Sequence, residues 1–369
     1  MKYYIIAGEA SGDLHGSNLI KALKAKDPEA EIRAFGGDLM QQAGATLALH
    51  YKAMAFMGFL EVVKNIRQIF KNMAFCKEDI AAFSPDALIF IDFSGFNLRI
   101  AKWAKTKNYN TNYYISPQVW ASRASRVEKI KQYIDQMYVI LPFEKAFYAK
   151  YNYKVDFVGH PLLDAIANTP TQSLSIFCAQ NNLSKDKKII ALLPGSRKQE
   201  VEKMLALMLQ TANNFPEYQF VIAGAPSLDN EFYQKFLKKD YVAFVKNQTY
   251  SLLSNAHAAL VTSGTATLET ALFRVPQVVC YRGNWVSYQI AKRIITLEYI
   301  SLVNLIMNKE VVKELIQDDL NLKNLKQELA KILEPSHRNS VVQQYDALIH
   351  KLGGAGASEK TAQLIIENA

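Results

Sequence analysis

Apolar residues in this chain come in short unbroken runs, each followed by a longer stretch where apolar and charged positions alternate at helical spacing. In the first half the runs read KYYIIAG, EIRAFGG, DALIFID, TNYYIS, QMYVIL and KVDFVGH. Between them stand segments such as LIKALKAK, LRIAKWAKTK and RVEKIKQYI, which carry the helical period. Runs apolar on both faces, separated by amphipathic helices, predict a parallel sheet with helices on either side. From 164 to 187, around Thr169-Pro170-Thr171, no strong strand appears, and the stretch reads as a connector. The pattern then restarts with KIIALLPGS, YQFVIAGA, YVAFVKN, AALVTSG and PQVVCYR. The prediction is an α/β chain of two similar doubly wound domains, 1–165 and 166–345.

Composition agrees with two cores. At 369 residues, half of them hydrophobic and 21% charged, the chain is long enough for two domains and too apolar for a disordered arm. The formal charge of +9 suits a polyanionic partner: nucleic acid, a nucleotide-linked substrate or an anionic membrane surface. The basic residues are dispersed and no zinc-finger or RNP-like pattern occurs, which argues against nucleic acid. Cys76, Cys178 and Cys280 stand far apart with no C-x-x-C, so neither a disulfide framework nor a cysteine metal site is indicated. The first residues enter a strand without leader-like features, and no window is apolar enough to span a bilayer. The expectation is a cytoplasmic, soluble chain free to associate with a membrane surface.

In sheets of this kind ligands bind beyond the carboxyl ends of the strands, so the turns after the strands carry the candidate chemistry. The first turn, AGEASGDLHG, places Gly8, Gly12 and Gly16 four residues apart, unlike the G-x-G-x-x-G of dinucleotide folds. Glu9, Ser11, Gly12 and Asp13 would line it, although Ser11 and Asp13 also read as helix caps. Asp92 ends the apolar run DALIFID and reads as a general base at a partly desolvated lip or as a cap for the turn after it. The turns DFSGFN, with Asn97, and SPQVW, with Ser116, Gln118 and Trp120, follow the next strands. His15 and His160 also follow turns, as bases or as structural donors.

The second half offers two phosphate-type turns. In LLPGSRKQEVEK, Gly195, Ser196 and Arg197 combine amides at a helix start with a guanidinium suited to a diphosphate; a plain surface arginine is the alternative. In SGTATLETALF, Ser263, Gly264 and Thr265 supply donors, and Glu269 either meets ribose hydroxyls or is a salt-bridged helix residue. Tyr281 and Arg282 follow the next strand. With no D-x-D in the chain, a carboxylate-bound metal is not expected. The segment from Ala53 to Phe75 sets Met54, Phe56, Met57, Phe59, Leu60, Val63, Ile66 and Phe70 among Lys64, Arg67 and Lys71. This is the composition of an interfacial helix, or of one packed on the sheet.

Taken in order, AGEASGD, MGFLEV, IDFSGFN, SPQVWA, LPFEKAFYAKY, VGHPLLD, LLPGSR, SGTATLE, YR and NLI resemble the lipid-A-disaccharide synthases over essentially the whole chain. The resemblance implies a GT-B glycosyltransferase with two Rossmann-like domains facing a cleft and no cofactor. It also implies a last helix, 346–369, packing back on an N-terminal domain, its own or a partner's in a possible homodimer. The implied reaction moves 2,3-diacylglucosamine from UDP to the 6-hydroxyl of 2,3-diacylglucosamine 1-phosphate, with inversion, at the cytoplasmic face of the inner membrane. Asp92 would be the base and Arg197 would neutralise the leaving diphosphate. Gly195, Ser196, Ser263, Gly264, Thr265, Glu269, Tyr281, Arg282 and Asn304 would hold UDP, and the GEASGD, Asn97 and SPQVW positions the acceptor. Met54, Phe56, Met57, Phe59, Leu60, Val63 and Arg67 would meet lipid. Gly95, Ser122 and Val303 depart from the family pattern. A UDP-sugar epimerase, a peptidoglycan glycosyltransferase and a non-catalytic carrier are the competing classes.

Overall fold

The first strand shows why the sheet must be covered on both sides. In β1 (Lys2–Ala7) the side chains of Tyr3, Ile5 and Ala7 pack with Leu19, Ile20 and Leu23, whereas Tyr4 and Ile6 pack on the other face with Cys76, Ile80 and Ile100. Alternating side chains that are all apolar leave no face for water, so helices close both. The structure is a computed structural model and describes residues 1–54, 65–121, 124–226, 228–237, 242–283 and 298–369.

The chain divides into two units, Met1–Ala167 with Leu352–Ala369, and Asn168–Lys351. Unit 1 holds a seven-stranded sheet in the order β3-β2-β1-β4-β5-β6-β7. Its further strands are β2 (Glu31–Gly36), β3 (Thr46–His50), β4 (Ala87–Ile91), β5 (Thr111–Tyr114), β6 (Gln136–Val139) and β7 (Asp156–Phe157). Unit 2 holds a six-stranded sheet ordered β10-β9-β8-β11-β12-β13. Its strands are β8 (Ile189–Leu193), β9 (Gln219–Gly224), β10 (Val242–Lys246), β11 (Ala256–Thr262), β12 (Gln277–Tyr281) and β13 (Lys313–Ile316). Neighbouring strands run parallel in both sheets.

The C-terminal return is built around one carboxylate. Helix Pro335–Lys351 belongs to unit 2 and the chain rejoins unit 1 at Leu352, six residues beyond the boundary read from sequence at 346. There Asp164 accepts hydrogen bonds from the amides of Gly356 at 2.6 Å, Ala357 at 3.3 Å and Ser358 at 2.8 Å. It thereby caps helix Ala357–Glu367, whose Ala362 and Ile365 complete the core under β1. No described helix is long and apolar enough to cross a membrane.

Candidate active site

Each sheet has one point where the strand order reverses, and the crossovers on either side diverge to leave a crevice at the carboxyl ends. In unit 1 this point lies between β1 and β4, in unit 2 between β8 and β11. Those four strands carry the turns singled out in the sequence. The pairing of Ala7 with Ile91 brings the Glu9 turn beside Asp92, and the pairing of Leu193 with Val261 brings the Gly195 turn beside Ser263.

At the first crevice Asp92 is open to solvent, next to the fully buried Ile91. The packed strand ends around it desolvate the carboxyl and, with the negative charge of Glu9, push it up to about 6. A carboxylate with that proton affinity is suited to take a proton near neutrality. Its backbone is unusual, since Asp92 and Phe93 both have left-handed φ, 43° and 47°. Glu9 is half-buried at the start of helix Ala10–Lys26, and Ser11 is exposed.

Several residues expected on the acceptor side have partners within the fold. Asp13 is buried and its carboxylate accepts from the amides of Gly37 at 2.9 Å, Leu39 at 3.2 Å and Met40 at 3.0 Å. It caps the neighbouring helix Asp38–Gln42, with both oxygens engaged inside the fold. Gly12 is buried against Ala7, where helix and strand meet. Asn97 is fully buried, and its amide donates to the carbonyls of Asp92 at 2.8 Å and Ile91 at 3.2 Å. The Ser116 hydroxyl donates to Glu144, which also accepts from the amides of Ile140 and Leu141. Gln118 stays exposed, and Trp120, half-exposed, meets the Phe143 ring edge-on at 4.9 Å. His15 and His160 are buried and held neutral, pushed down to about 4 and about 3 chiefly by desolvation, so neither serves as a surface base.

Sequence reasoning did not single out Glu144. Burial pushes it up to about 7 against the three hydrogen bonds it receives, and it anchors the start of the SPQVW turn. Its partner Ser116 is 28 residues away, too far for any local pattern to mark the pair.

At the second crevice Gly195 takes φ 107°, a conformation open to glycine, and turns the chain into helix Lys198–Ala212. Arg197 is exposed and lies 3.6 Å from Glu200. Gly264 and the first helical residue Thr265 are exposed at the start of helix Thr265–Leu272, and the Ser263 hydroxyl is 3.4 Å from the Ile300 carbonyl. Glu269 is raised by burial, and its carboxylate accepts from the Tyr250 hydroxyl at 3.2 Å. Tyr250 was also missed, because it comes from a separate helix, Thr249–Asn255. Tyr281 is half-exposed at the end of β12. Two residues expected on the donor side are also engaged within unit 2. Arg282 donates to the carbonyl of Leu320, in the turn that follows β13. Asn304 is fully buried; its amide donates to Val312 and Glu314 and its oxygen accepts from the amides of Val311 and Val312. It braces the β13 edge and has nothing left for a nucleotide.

Of the lipid-contact residues, Met54 is buried in the core and Arg67 is exposed. Phe56, Met57, Phe59, Leu60 and Val63 lie outside the described residues, as does Ser122. Beyond them, helix Ile66–Phe83 turns Met73, Cys76 and Ile80 inward and leaves Ile66 and Phe70 exposed at 47% and 60%, one turn apart and next to Arg67 and Lys71.

Comparison with known proteins follows the same division of fold and chemistry. The profile of the family described as lipid-A-disaccharide synthetase matches residues 3–367. The lipid-A-disaccharide synthase of Coxiella burnetii (strain CbuG_Q212) is 38% identical over 368 residues, covering 98% of this chain and 96% of that protein. The lipid-A-disaccharide synthase of Geobacter metallireducens is 36% identical over 370 residues, with the same coverage. Among solved structures, the UDP-GlcNAc 2-epimerase of Neisseria meningitidis bound to UDP-GlcNAc superposes with TM-score 0.66 at 12% identity, covering 100% of this chain and 99% of that one. The glycosyltransferase of kitacinnamycin gives TM-score 0.67 at 13% identity, covering 100% and 98%. At such identities the structural likeness establishes the fold alone, of the GT-B type.

Proposed function

The chain belongs to the lipid-A-disaccharide synthase family, and on that premise we propose how its two strand-order reversals divide the work of a glycosyl transfer. The enzyme is a glycosyltransferase acting on lipid A precursors. The donor is UDP-2,3-diacylglucosamine and the acceptor 2,3-diacylglucosamine 1-phosphate, joined through the acceptor's 6-hydroxyl with inversion.

Unit 2 takes the nucleotide. The amides of the Gly195 and Ser263 turns meet the diphosphate, Glu269 accepts from ribose hydroxyls, and Arg197 leaves Glu200 to neutralise the departing UDP. An ion pair as exposed as Arg197 with Glu200 is worth little, so releasing it for a diphosphate is easy. Unit 1 takes the acceptor. Asp92 removes the proton of the attacking hydroxyl while Glu9, Gln118 and Trp120 contact the sugar. The exposed apolar face of Ile66 and Phe70, flanked by Arg67 and Lys71, rests on the cytoplasmic face of the inner membrane.

The observation that carries this reading is the coincidence of the Asp92 and Glu9 turns, and of the Gly195 and Ser263 turns, with the two reversal points. Its test is Asp92→Asn, which keeps size and hydrogen bonding and removes basicity. Turnover should fall by roughly 10²-fold or more with UDP affinity retained. Asp92 ionises only above its ordinary 3.8 in the fold, so wild type loses stability as pH rises through about 6. The variant should therefore melt no lower than wild type at pH 8. Near-normal turnover in Asp92→Asn would overturn the assignment.

A further inference from the structure

Three other strand-to-helix junctions in this molecule start their helices from extended backbone, and the junction after β10 carries a single left-handed residue, Asn247. Glu9 has φ −145° and ψ 164°, Gly37 φ −140°, and Arg197 φ −103° with ψ 137°. After β4 the chain does something different. Asp92 and Phe93, neither of them glycine, take left-handed φ in succession, and helix Ser94–Thr106 begins with no side-chain cap. Starting a helix does not require this, as the other junctions show. Left-handed pairs of ordinary residues persist only where the surroundings over-determine them.

Four groups do so here. The Asp92 carbonyl accepts from the hydroxyl of Tyr113 on β5 and from the Asn97 amide at 2.8 Å; both side chains are fully buried. The Asp92 amide donates to the Tyr114 carbonyl at 3.3 Å, so the residue is held on both sides of its Cα. The fourth is Gly8, on the neighbouring turn. A Cβ there would stand 2.3 Å from Cγ and Cδ1 of Phe93, so the Phe93 ring lies directly on the glycine backbone. On its other side the ring stacks on Phe96 at 5.6 Å.

We propose that Tyr113, Asn97 and Gly8 are positioning residues that lock this left-handed turn, and thereby fix the direction in which the Asp92 carboxylate meets the acceptor hydroxyl. The inference rests on Asp92 being the base. Tyr113 and Asn97 hydrogen-bond the main chain of Asp92 and not its carboxylate, and act on the reaction through it. Two further charged or titratable groups bear on the carboxylate: Glu9 from the first turn and the buried Tyr113 hydroxyl itself.

The test combines Tyr113→Phe, which removes one oxygen and keeps the ring, with Gly8→Ala, which displaces Phe93. Expected is a fall in kcat of at least ~10-fold for each, with KM for the UDP-sugar and UDP affinity within about 2-fold of wild type. In the Asp92→Asn background Tyr113→Phe should cost nothing further, because a misdirected base and an absent one are equivalent. Unchanged kcat in both single variants overturns the lock, as does a parallel loss of UDP affinity and turnover or full additivity with Asp92→Asn. Wild-type turnover in Asp92→Asn alone would instead remove the premise, which separates the two failures.

Discussion

Asp92, the base we propose, stands on backbone that costs about 1–3 kcal/mol for each of the two left-handed residues, at a lip where ionisation is opposed by desolvation and by Glu9. Both penalties fall on the carboxylate that must accept a proton. The pH dependence follows with a definite sign. On the proposed role Asp92 works only when ionised, so kcat/KM should rise through about pH 6 to a plateau. Removing the neighbouring charge in Glu9→Gln should move that acid limb to lower pH, whatever the altered sugar contact does to the height of the plateau, as measured by a pH–rate profile with saturating donor. An acid limb that does not move would detach Glu9 from the base. Asp92 was legible in the sequence because a carboxylate ending a fully apolar run has few places to go. Asp13 and Asn97 were expected to meet the acceptor. Their partners, the amides of residues 37 to 40 and the carbonyl of Asp92, exist only once strands are paired, so the sequence could not show that both are already engaged.

Among elements, the buried strands announced themselves, since a strand covered on both faces must be apolar throughout. β3 and β13 did not. Each lies at a sheet edge, and Thr46–His50 and Lys313–Ile316 carry the mixed, half-exposed character that edges allow. The first residues after β4 show a similar contrast at Gly95, where a Cβ would meet nothing within 4 Å. The glycine that departs from the family pattern is therefore not required by packing. Helix Ile66–Phe83 carries the prediction at this scale. Its inner face is fixed by Met73, Cys76 and Ile80, so replacing Ile66 and Phe70 with serine should leave the melting temperature close to wild type. Co-sedimentation with vesicles containing anionic phospholipid should drop severalfold, and more so when Arg67 and Lys71 are also replaced. Sedimentation unaffected by the four changes would assign membrane contact elsewhere.

For the whole molecule, the two sheets repeat one device: a reversal of strand order with a pair of turns at its mouth. The repeat was readable because the apolar runs stop at 164 and resume at 188. The C-terminal return was less so, since its latch depends on Asp164 meeting amides nearly two hundred residues away. Fold alone would allow an epimerase as readily as a transferase, because structures of both kinds superpose on the full chain. Products separate them. The most direct measurement is mass spectrometry of the reaction of the purified protein with UDP-2,3-diacylglucosamine and 2,3-diacylglucosamine 1-phosphate. The account predicts UDP and a tetraacyl disaccharide 1-phosphate in equal amounts, with neither formed when the acceptor is withheld. UDP-sugar converted to its epimer, or UDP released with free acylated sugar and no disaccharide, would contradict it.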